Sequence, residues 1–141
     1  MSHTVREIMI KQLVTVELDT SLQEAARKMR DAGIGDVLVV EDGRLCGVVT
    51  DRDLVVRAMA EGKDPEHTAV RAVCSTAVVS IGPDDDVDRA VTLMRQNALR
   101  RLPVTEDGHP VGIVSLGDLA IELERDCGFA LADISAALPN T

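Results

Sequence analysis

The amino-acid sequence contains an internal repeat, and this repeat restricts the fold more than any other feature. An offset of 65 aligns residues 5–62 with residues 70–127 without a gap, and 15 of the 58 pairs are identical. About three or four identities are expected by chance from ordinary composition. Two copies are too few for a solenoid, which needs three or more repeats to bury its faces. A closed pair of similar halves is therefore predicted.

Each copy predicts the same order of elements, β-α-β-β-α. In the first copy an apolar, β-branched strand at residues 13–16 is followed by Ser21 and Glu24, a capping-box pair, and Gly33 ends the helix. The Asp-Gly pair at residues 42–43, which the second copy repeats, predicts a tight hairpin turn. The sequence thus predicts a fold of the α+β (α/β) class with a small sheet in each half. The predicted domains are repeat 1 with its lead-in at residues 1–66, repeat 2 at residues 67–128 and a tail at residues 129–141.

The last helix of each copy, at about residues 51–61 and 117–126, is apolar over more than one stripe. Its apolar residues are Leu54, Val55, Val56, Ala58 and Met59 in the first copy and Leu119, Ala120, Ile121 and Leu123 in the second. A helix that covers only its own sheet needs a narrower apolar face. We interpret the excess as a homodimer interface. The alternative is that all of these residues enter the core of the chain itself.

Charge and composition exclude several classes of partner. The net charge of -9 leaves no basic face for a polyanion, so no nucleic-acid partner is expected. The apolar runs are too short to span a bilayer and the first residues lack a signal sequence, so we expect no membrane partner and a cytoplasmic location. Cys46, Cys74 and Cys127 form neither a disulfide framework nor a metal-binding pair. They are expected to be reduced and mostly buried.

Neither a catalytic site nor a metal site is predicted. His3, His67 and His109 have no nucleophile partner and no metal-ligand spacing, and they are expected at the solvated surface. The acidic run at residues 84–86 lacks the EF-hand pattern, and its first or second aspartate is expected to cap the following helix. The chain is therefore predicted not to be an enzyme and to require no cofactor.

The strand-to-helix turn that closes each copy carries a hydroxyl and a carboxylate three residues apart. These pairs are Thr50 with Asp53 and Ser115 with Asp118. The simple interpretation is a capping box, in which both side chains bind backbone N–H groups. A helix N-terminus also favours phosphate, and a nearby carboxylate suits a pair of ribose hydroxyls. Two adjacent arginines at residues 100–101 would supply a cation, although such arginines are as commonly solvated or paired with acids.

These turns, taken with the repeat, resemble a known family. The form G-h-h-(S/T)-x-x-D-L, where h is apolar, occurs at residues 47–54 and 112–119, and R-R-L-P-V occurs at residues 100–104. Together they look like a tandem pair of cystathionine β-synthase (CBS) domains, a stand-alone Bateman module, over residues 5–127. The resemblance implies two sheets packed face to face with pseudo-twofold symmetry and adenosine ligands in the clefts between the repeats.

The resemblance also implies which residues bind the ligand, with a carboxylate on the ribose and a hydroxyl and arginines on the phosphate. The first site would consist of Thr50, Arg52, Asp53, Val78, Ile81, Arg100, Arg101, Leu102 and Pro103. The second site would consist of Ser115, Asp118, Val14, Val16, Gly35 and Asp36. Because the second site has Asp36 where the first has an arginine, phosphate is repelled there and the second site is expected to be weaker.

The predicted function is that of a regulatory module for an adenosine ligand. AMP, ADP or ATP is expected first and a ligand like S-adenosylmethionine second, with the signal passing to a separate, unidentified protein. Since the sequence has one Phe and no Tyr or Trp, adenine would lie among aliphatic side chains. The alternative is a ligand-free dimerisation or protein-interaction module. The tail favours this alternative through its apolar residues Phe129, Leu131, Ile134 and Leu138.

Overall fold

A computed structural model describes residues 3–127 of the chain. The predicted tail at residues 129–141, with its apolar stripe, lies outside the described residues, and so does the side chain of Cys127. By internal contacts the chain divides into two compact units. The first unit is Val14–Val78, and the second combines Met1–Leu13 with Val79–Thr141.

The described residues form both helices and strands. In chain order they are α1 (Val5–Ile8), β1 (Thr15–Glu17), α2 (Leu22–Ala32), β2 (Asp36–Glu41), β3 (Arg44–Thr50), α3 (Asp51–Asp53, continued by a π-helix at Leu54–Met59), a 3₁₀-helix at Val70–Ala72, α4 (Val87–Asn97), β4 (Arg101–Glu106), β5 (His109–Ser115) and α5 (Leu116–Cys127). The predicted α+β class is confirmed.

The first unit contains a three-stranded sheet in the order β1-β2-β3. β1 is parallel to β2, and β2 is antiparallel to β3. Val16, Val39 and Val49 are buried in the same hydrophobic cluster as the inner face of α2. The first strand was predicted at residues 13–16, but it starts two residues further along the chain, at Thr15. The Val14 carbonyl nevertheless accepts a hydrogen bond from Leu38 N at 3.2 Å.

Helix α2 begins after the predicted N-cap residue Ser21 and ends at the predicted Gly33, and one half of the predicted capping box is observed. The Ser21 side chain accepts a hydrogen bond from Glu24 N at 3.1 Å, and Gly33 ends the helix with φ 66°. Leu22, Ala25 and Met29 lie on one face at helical spacing and are buried. The amphipathic pattern and its two end signals are therefore sufficient to define this helix.

An Asp-Gly pair forms the turn of the hairpin in each unit. Asp42 and Gly43 have φ 53° and 78°, and Asp107 and Gly108 have φ 53° and 83°. Positive φ at both central residues is the turn geometry that matches the twist of two antiparallel strands. Both predicted hairpins are confirmed.

The second unit is built around the antiparallel pair β4-β5. The expected first strand of this copy is reduced to a single parallel bridge between Ile81 and Val104. Leu102, Val114 and Leu119 are fully buried and pack with α4 in one hydrophobic cluster.

The start of α4 differs from the prediction. Its N-cap residue is Asp86, whose side chain makes no capping hydrogen bond. The Asp85 carboxylate instead accepts from Gly82 N at 2.9 Å, and Asp84 forms an ion pair with Arg6 at 3.3 Å. The predicted cap at Asp84 or Asp85 is wrong because the carboxylate of Asp85 closes the turn before the helix.

The segment at the start of the first repeat, up to Leu13, belongs to the second unit. Ile10 and Ile113 exchange backbone hydrogen bonds of 2.8 and 2.9 Å, and Val5 is buried in the core of this unit. The segment around Ile10 can approach β5 closely because the residue before Ile113 is Gly112. A Cβ on Gly112 would lie 2.6 Å from Met9 Sδ.

The corresponding segment at the start of the second repeat, at residues 70–78, belongs in the same way to the first unit. Val48 and Ser75 exchange two backbone hydrogen bonds of 2.9 Å, and Val70 and Val73 are buried in the core. A Cβ on Gly47 would lie 2.9 Å from the Ser75 carbonyl oxygen. The predicted domain bounds follow the repeats, whereas the compact units exchange these two lead-in segments.

The C-terminal ends of α2 and α4 allow a stability test. Ala98, the counterpart of Gly33, has φ 55°, which costs an alanine free energy but suits glycine. We expect Ala98→Gly to raise the free energy of unfolding by about 0.5–1 kcal/mol, measured by urea denaturation. Gly33→Ala should lower it by about 1 kcal/mol, because the added Cβ meets nothing within 4 Å and only the φ angle is strained. A loss of stability in Ala98→Gly would contradict this account.

Candidate functional site

The turn after β3 is a complete capping box. The Thr50 hydroxyl oxygen accepts from Asp53 N at 3.0 Å, and the Asp53 carboxylate accepts from Thr50 N at 3.0 Å. The second carboxylate oxygen of Asp53 lies 4.0 Å from Arg57, and the side chain is 18% exposed. Neither contact uses the Thr50 hydroxyl proton, and no acceptor among the described residues takes it. The turn can therefore still donate from the hydroxyl.

The equivalent turn after β5 has a different hydrogen-bond pattern. The Ser115 hydroxyl oxygen accepts from Asp118 N at 3.2 Å, as in the first turn. Its proton, however, is donated to the Asp118 carboxylate at 2.8 Å. A ligand that needs this hydroxyl as a donor must first break a hydrogen bond to a charged group, which costs more than a neutral one.

Each turn lies beside the start of the preceding strand of its own unit. Thr50 is the register partner of Asp36, and Asp51 N donates to the Gly35 carbonyl at 2.8 Å. A Cβ on Gly35 would lie 3.0 Å from the Asp51 carboxylate, so this position is close-packed. The predicted first site combines Thr50 and Asp53 of the first unit with arginines of the second, and that combination stays a prediction.

The corresponding neighbours in the second unit are basic. Arg101 is the register partner of Ser115, and Leu116 N donates to the Arg100 carbonyl at 2.7 Å. Arg100 is exposed and Arg101 is partly buried. The two units therefore have the same backbone pairing but opposite charges beside their turns.

The apolar residues predicted to hold adenine differ in exposure. Ile81 and Leu102 are buried in the core of the second unit, and Pro103 is also buried. Ile81 N donates to the Pro103 carbonyl at 3.0 Å, which holds the two segments together. Val78, at the end of the first unit, is partly buried. Ile81 and Leu102 therefore offer little side-chain surface to a ligand.

The apolar residues of the predicted second site also differ in exposure. Val16 is buried in the core of the first unit, whereas Val14 is partly buried at the edge of the same cluster. Of these two side chains, only that of Val14 retains appreciable exposure.

Sequence reasoning missed a cluster of ionisable side chains at His3. Its Nδ1 lies 2.7 Å from Glu7, and its Nε2 lies 3.3 Å from Glu122 of α5. The predicted solvated position is wrong for His3, whose side chain is partly buried, whereas His67 and His109 are exposed as predicted. The hydrogen bond to His3 lowers the pKa of the Glu7 carboxyl. Helical spacing gave no signal for this contact, because His3 precedes the N-cap residue Thr4 of α1.

Residues 3–127 contain neither a metal-binding cluster nor a membrane-spanning helix. No group of three or more His, Cys, Asp or Glu side chains in this range could hold a metal ion. No helix in the same range has the length and hydropathy needed to cross a membrane.

The Thr50 turn allows a test that does not depend on any ligand. We expect Thr50→Val to lower the free energy of unfolding by about 0.5–2 kcal/mol, because Asp53 N loses its acceptor. Thr50→Ser retains the hydroxyl oxygen and should stay close to the wild type. Urea denaturation of both variants measures the difference. Equal stability of Thr50→Val and the wild type would show that the cap contributes nothing.

The model of the CBS domain matches this chain twice, at residues 5–59 and 70–125. The chain is 41% identical over 134 residues to the CBS domain-containing protein YhcV of Bacillus subtilis (strain 168), which covers 94% of this chain and 95% of that protein. It is 31% identical over 121 residues to Hypoxic response protein 1 of Mycobacterium tuberculosis (strain ATCC 25618 / H37Rv), with 85% of each chain covered.

Two solved structures are similar to this chain. Hypoxic Response Protein I, crystallised with two coordinated zinc ions, has a TM-score of 0.79 at 30% identity, covering 86% of this chain and 99% of that chain. The CBS domain pair of protein MJ0100, in complex with 5′-methylthioadenosine and S-adenosyl-L-methionine, has a TM-score of 0.75 at 24% identity. The latter comparison covers 88% of this chain and 98% of that chain, and at this identity it shows the fold alone.

Proposed function

This chain belongs to the CBS-domain family, and we propose that it is a regulatory module that binds an adenosine ligand and signals to a separate protein. AMP, ADP and ATP are the first candidates, and a ligand like S-adenosylmethionine is the next. The module performs no catalysis and needs no cofactor for its own structure.

The observation that carries this proposal is the state of the Thr50 capping box. The hydroxyl proton is available to a phosphate at the electropositive start of a helix. The Asp53 carboxylate uses one oxygen on Thr50 N, and its remaining lone pairs can accept from ribose hydroxyls. A donor and a charged acceptor three residues apart therefore match the two polar parts of a nucleotide.

The other groups of the proposed first site complete this recognition. Arg100 and Arg101, with Arg52 of the turn itself, would neutralise the phosphate charge, since guanidinium groups bind phosphate in a bidentate manner. The adenine ring would lie against the segments at residues 78–81 and 102–103, where the partly buried Val78 and Val79 offer aliphatic surface.

The proposed second site, at Ser115 and Asp118, binds more weakly. Its hydroxyl proton is already donated to Asp118, and its partner segment around residues 14–16 and 35–36 brings a carboxylate instead of arginines. One ligand per chain is therefore the proposed stoichiometry.

The ligand class is supported by the family. MJ0100 was crystallised with two adenosine derivatives, 5′-methylthioadenosine and S-adenosyl-L-methionine. Both carry the adenine and ribose that the first site is proposed to bind. They differ from nucleotides at the 5′ position, where the Thr50 hydroxyl and the arginines would discriminate.

Thermal unfolding with AMP, ADP, ATP, adenosine and S-adenosylmethionine tests the proposal. A ligand at a hundred times its Kd adds roughly 2.7 kcal/mol of stability, which is on the order of 10 °C in Tm for a chain of this size. Asp53→Asn keeps an oxygen for Thr50 N but removes the charge, and it should abolish most of this shift. Asp118→Asn is the matched control in the other turn and should leave the shift nearly unchanged.

The Arg101→Ala variant distinguishes recognition of the phosphate from recognition of the nucleoside. It should weaken AMP binding at least tenfold while leaving adenosine binding close to that of the wild type, measured by calorimetry. If none of the compounds shifts Tm in the wild-type protein, the adenosine-sensor proposal fails.

A second candidate function, a ligand-free dimerisation module, is favoured by an exposed apolar surface after β3. Val55, Val56 and Met59 are 52%, 45% and 72% exposed, and Ile121 of α5 is 50% exposed. The alternative that all apolar residues of these helices enter the chain's own core is wrong for these four, whereas Ala58, Leu119 and Ala120 are buried. We propose that the exposed residues after β3 contact a second copy of the chain.

Charge placed on this surface should prevent dimerisation. We expect Met59→Glu to raise the dimer Kd at least tenfold, because a carboxylate would be buried without a partner. Lys63→Glu, also exposed and in the same unit, is the control and should have little effect. Sedimentation equilibrium measures both. A wild-type protein that stays monomeric at tens of micromolar would contradict the proposed interface.

A further inference from the structure

The first unit contains two thiols in one hydrophobic cluster. Cys74 is 8% exposed and belongs to the buried core, and Cys46 is partly buried and packs against the same core. The two residues come from segments that are distant in sequence, the strand β3 and the segment that follows the 3₁₀-helix. Both are reduced in this structure.

Cys46 occupies an irregular position in β3. The register passes from Val39 opposite Gly47 to Val40 opposite Leu45, so Cys46 is the extra residue of a β-bulge. Its Sγ donates only a weak hydrogen bond, at 3.4 Å, to the Val39 carbonyl oxygen. The side chain can turn away from this acceptor at little cost.

Cys74 lies directly beside this bulge. A Cβ built on Gly47, the residue next to Cys46, would be 3.3 Å from Cys74 Sγ. The following residue, Ser75, is fixed to Val48 by two backbone hydrogen bonds of 2.9 Å. The segment that carries Cys74 is thus held against the stretch of β3 that carries Cys46.

We infer that Cys46 and Cys74 form a reversible disulfide when the protein meets a low-molecular-weight disulfide of the glutathione type. The Cys46 thiolate, the more exposed of the two, attacks one sulfur of this oxidant, forms a mixed disulfide and releases one small thiolate. The Cys74 thiolate then attacks the Cys46 sulfur and releases the second small thiolate. The two protein S–H protons pass through solvent to the two released thiolates, and two electrons from the protein sulfurs reduce the oxidant to two thiols.

The surroundings determine the rate of this reaction. Burial, with a smaller contribution from Cys74, raises the pKa of the Cys46 thiol, so little thiolate is present at neutral pH. Oxidation is therefore slow at pH 7 and faster at pH 9. The product bond would fasten the segment at residues 74–75 to β3, the strand whose last residue is Thr50.

Peptide mapping of the folded full chain tests this inference. Oxidised glutathione at pH 9 should lower the intact mass by about 2 Da and remove two thiols from the Ellman count. Trypsin should then release residues 45–52 linked to residues 72–89, and dithiothreitol should separate them. The Cys127→Ser variant should behave in the same way, because the third thiol takes no part.

Cys46→Ser and Cys74→Ser are the matched controls and should each give no linked peptide. Glutathione retained on Cys46 or Cys74 as a stable mixed disulfide, two thiols that remain unreacted, or links between chains would each overturn the inference. The ligand experiments above use reducing conditions, so their failure would leave this result unaffected.

Discussion

The structure depends on a close backbone contact between each return strand and a lead-in segment. In the first unit Val48 bonds with Ser75, and in the second Ile113 bonds with Ile10. A glycine at the neighbouring position leaves room for both contacts, because a Cβ on Gly47 would lie 2.9 Å from the Ser75 carbonyl oxygen and a Cβ on Gly112 would lie 3.1 Å from the Ile10 carbonyl oxygen. These contacts attach the apolar residues of both lead-in segments to the cores.

Local features of this fold were predictable from the sequence because their causes are local. The Ser21 cap, the Gly33 stop and the Asp-Gly turns each depend on residues within one turn of chain. The exchange of lead-in segments was not predictable in this way, because no local sequence pattern indicates which strand a distant segment pairs with. The predicted cap of α4 was wrong for a related reason, because the Asp85 carboxylate accepts from the N–H of Gly82, in the turn before the helix.

The candidate site was predictable as a position but not as a hydrogen-bond pattern. Spacing alone gives a hydroxyl and a carboxylate at each turn, and both pairs are in contact. Whether the carboxylate accepts from the backbone, as Asp53 does, or from the hydroxyl, as Asp118 does, depends on side-chain torsions that spacing does not determine. This difference determines which turn retains a hydroxyl proton that a ligand can accept. Two turns with the same sequence motif therefore offer different hydrogen-bonding groups.

The exchanged lead-in segments also bear on how a protein of this kind can arise. A single repeat, on its own, carries the segment that completes its neighbour's unit and lacks the segment that completes its own. It can supply the missing piece only by association with another chain, so its folding would depend on concentration. Tandem duplication places both segments on one polypeptide and replaces that dependence with a high effective concentration set by a short connection. Fusion of two repeats therefore allows the units to be completed within one chain, without association between chains.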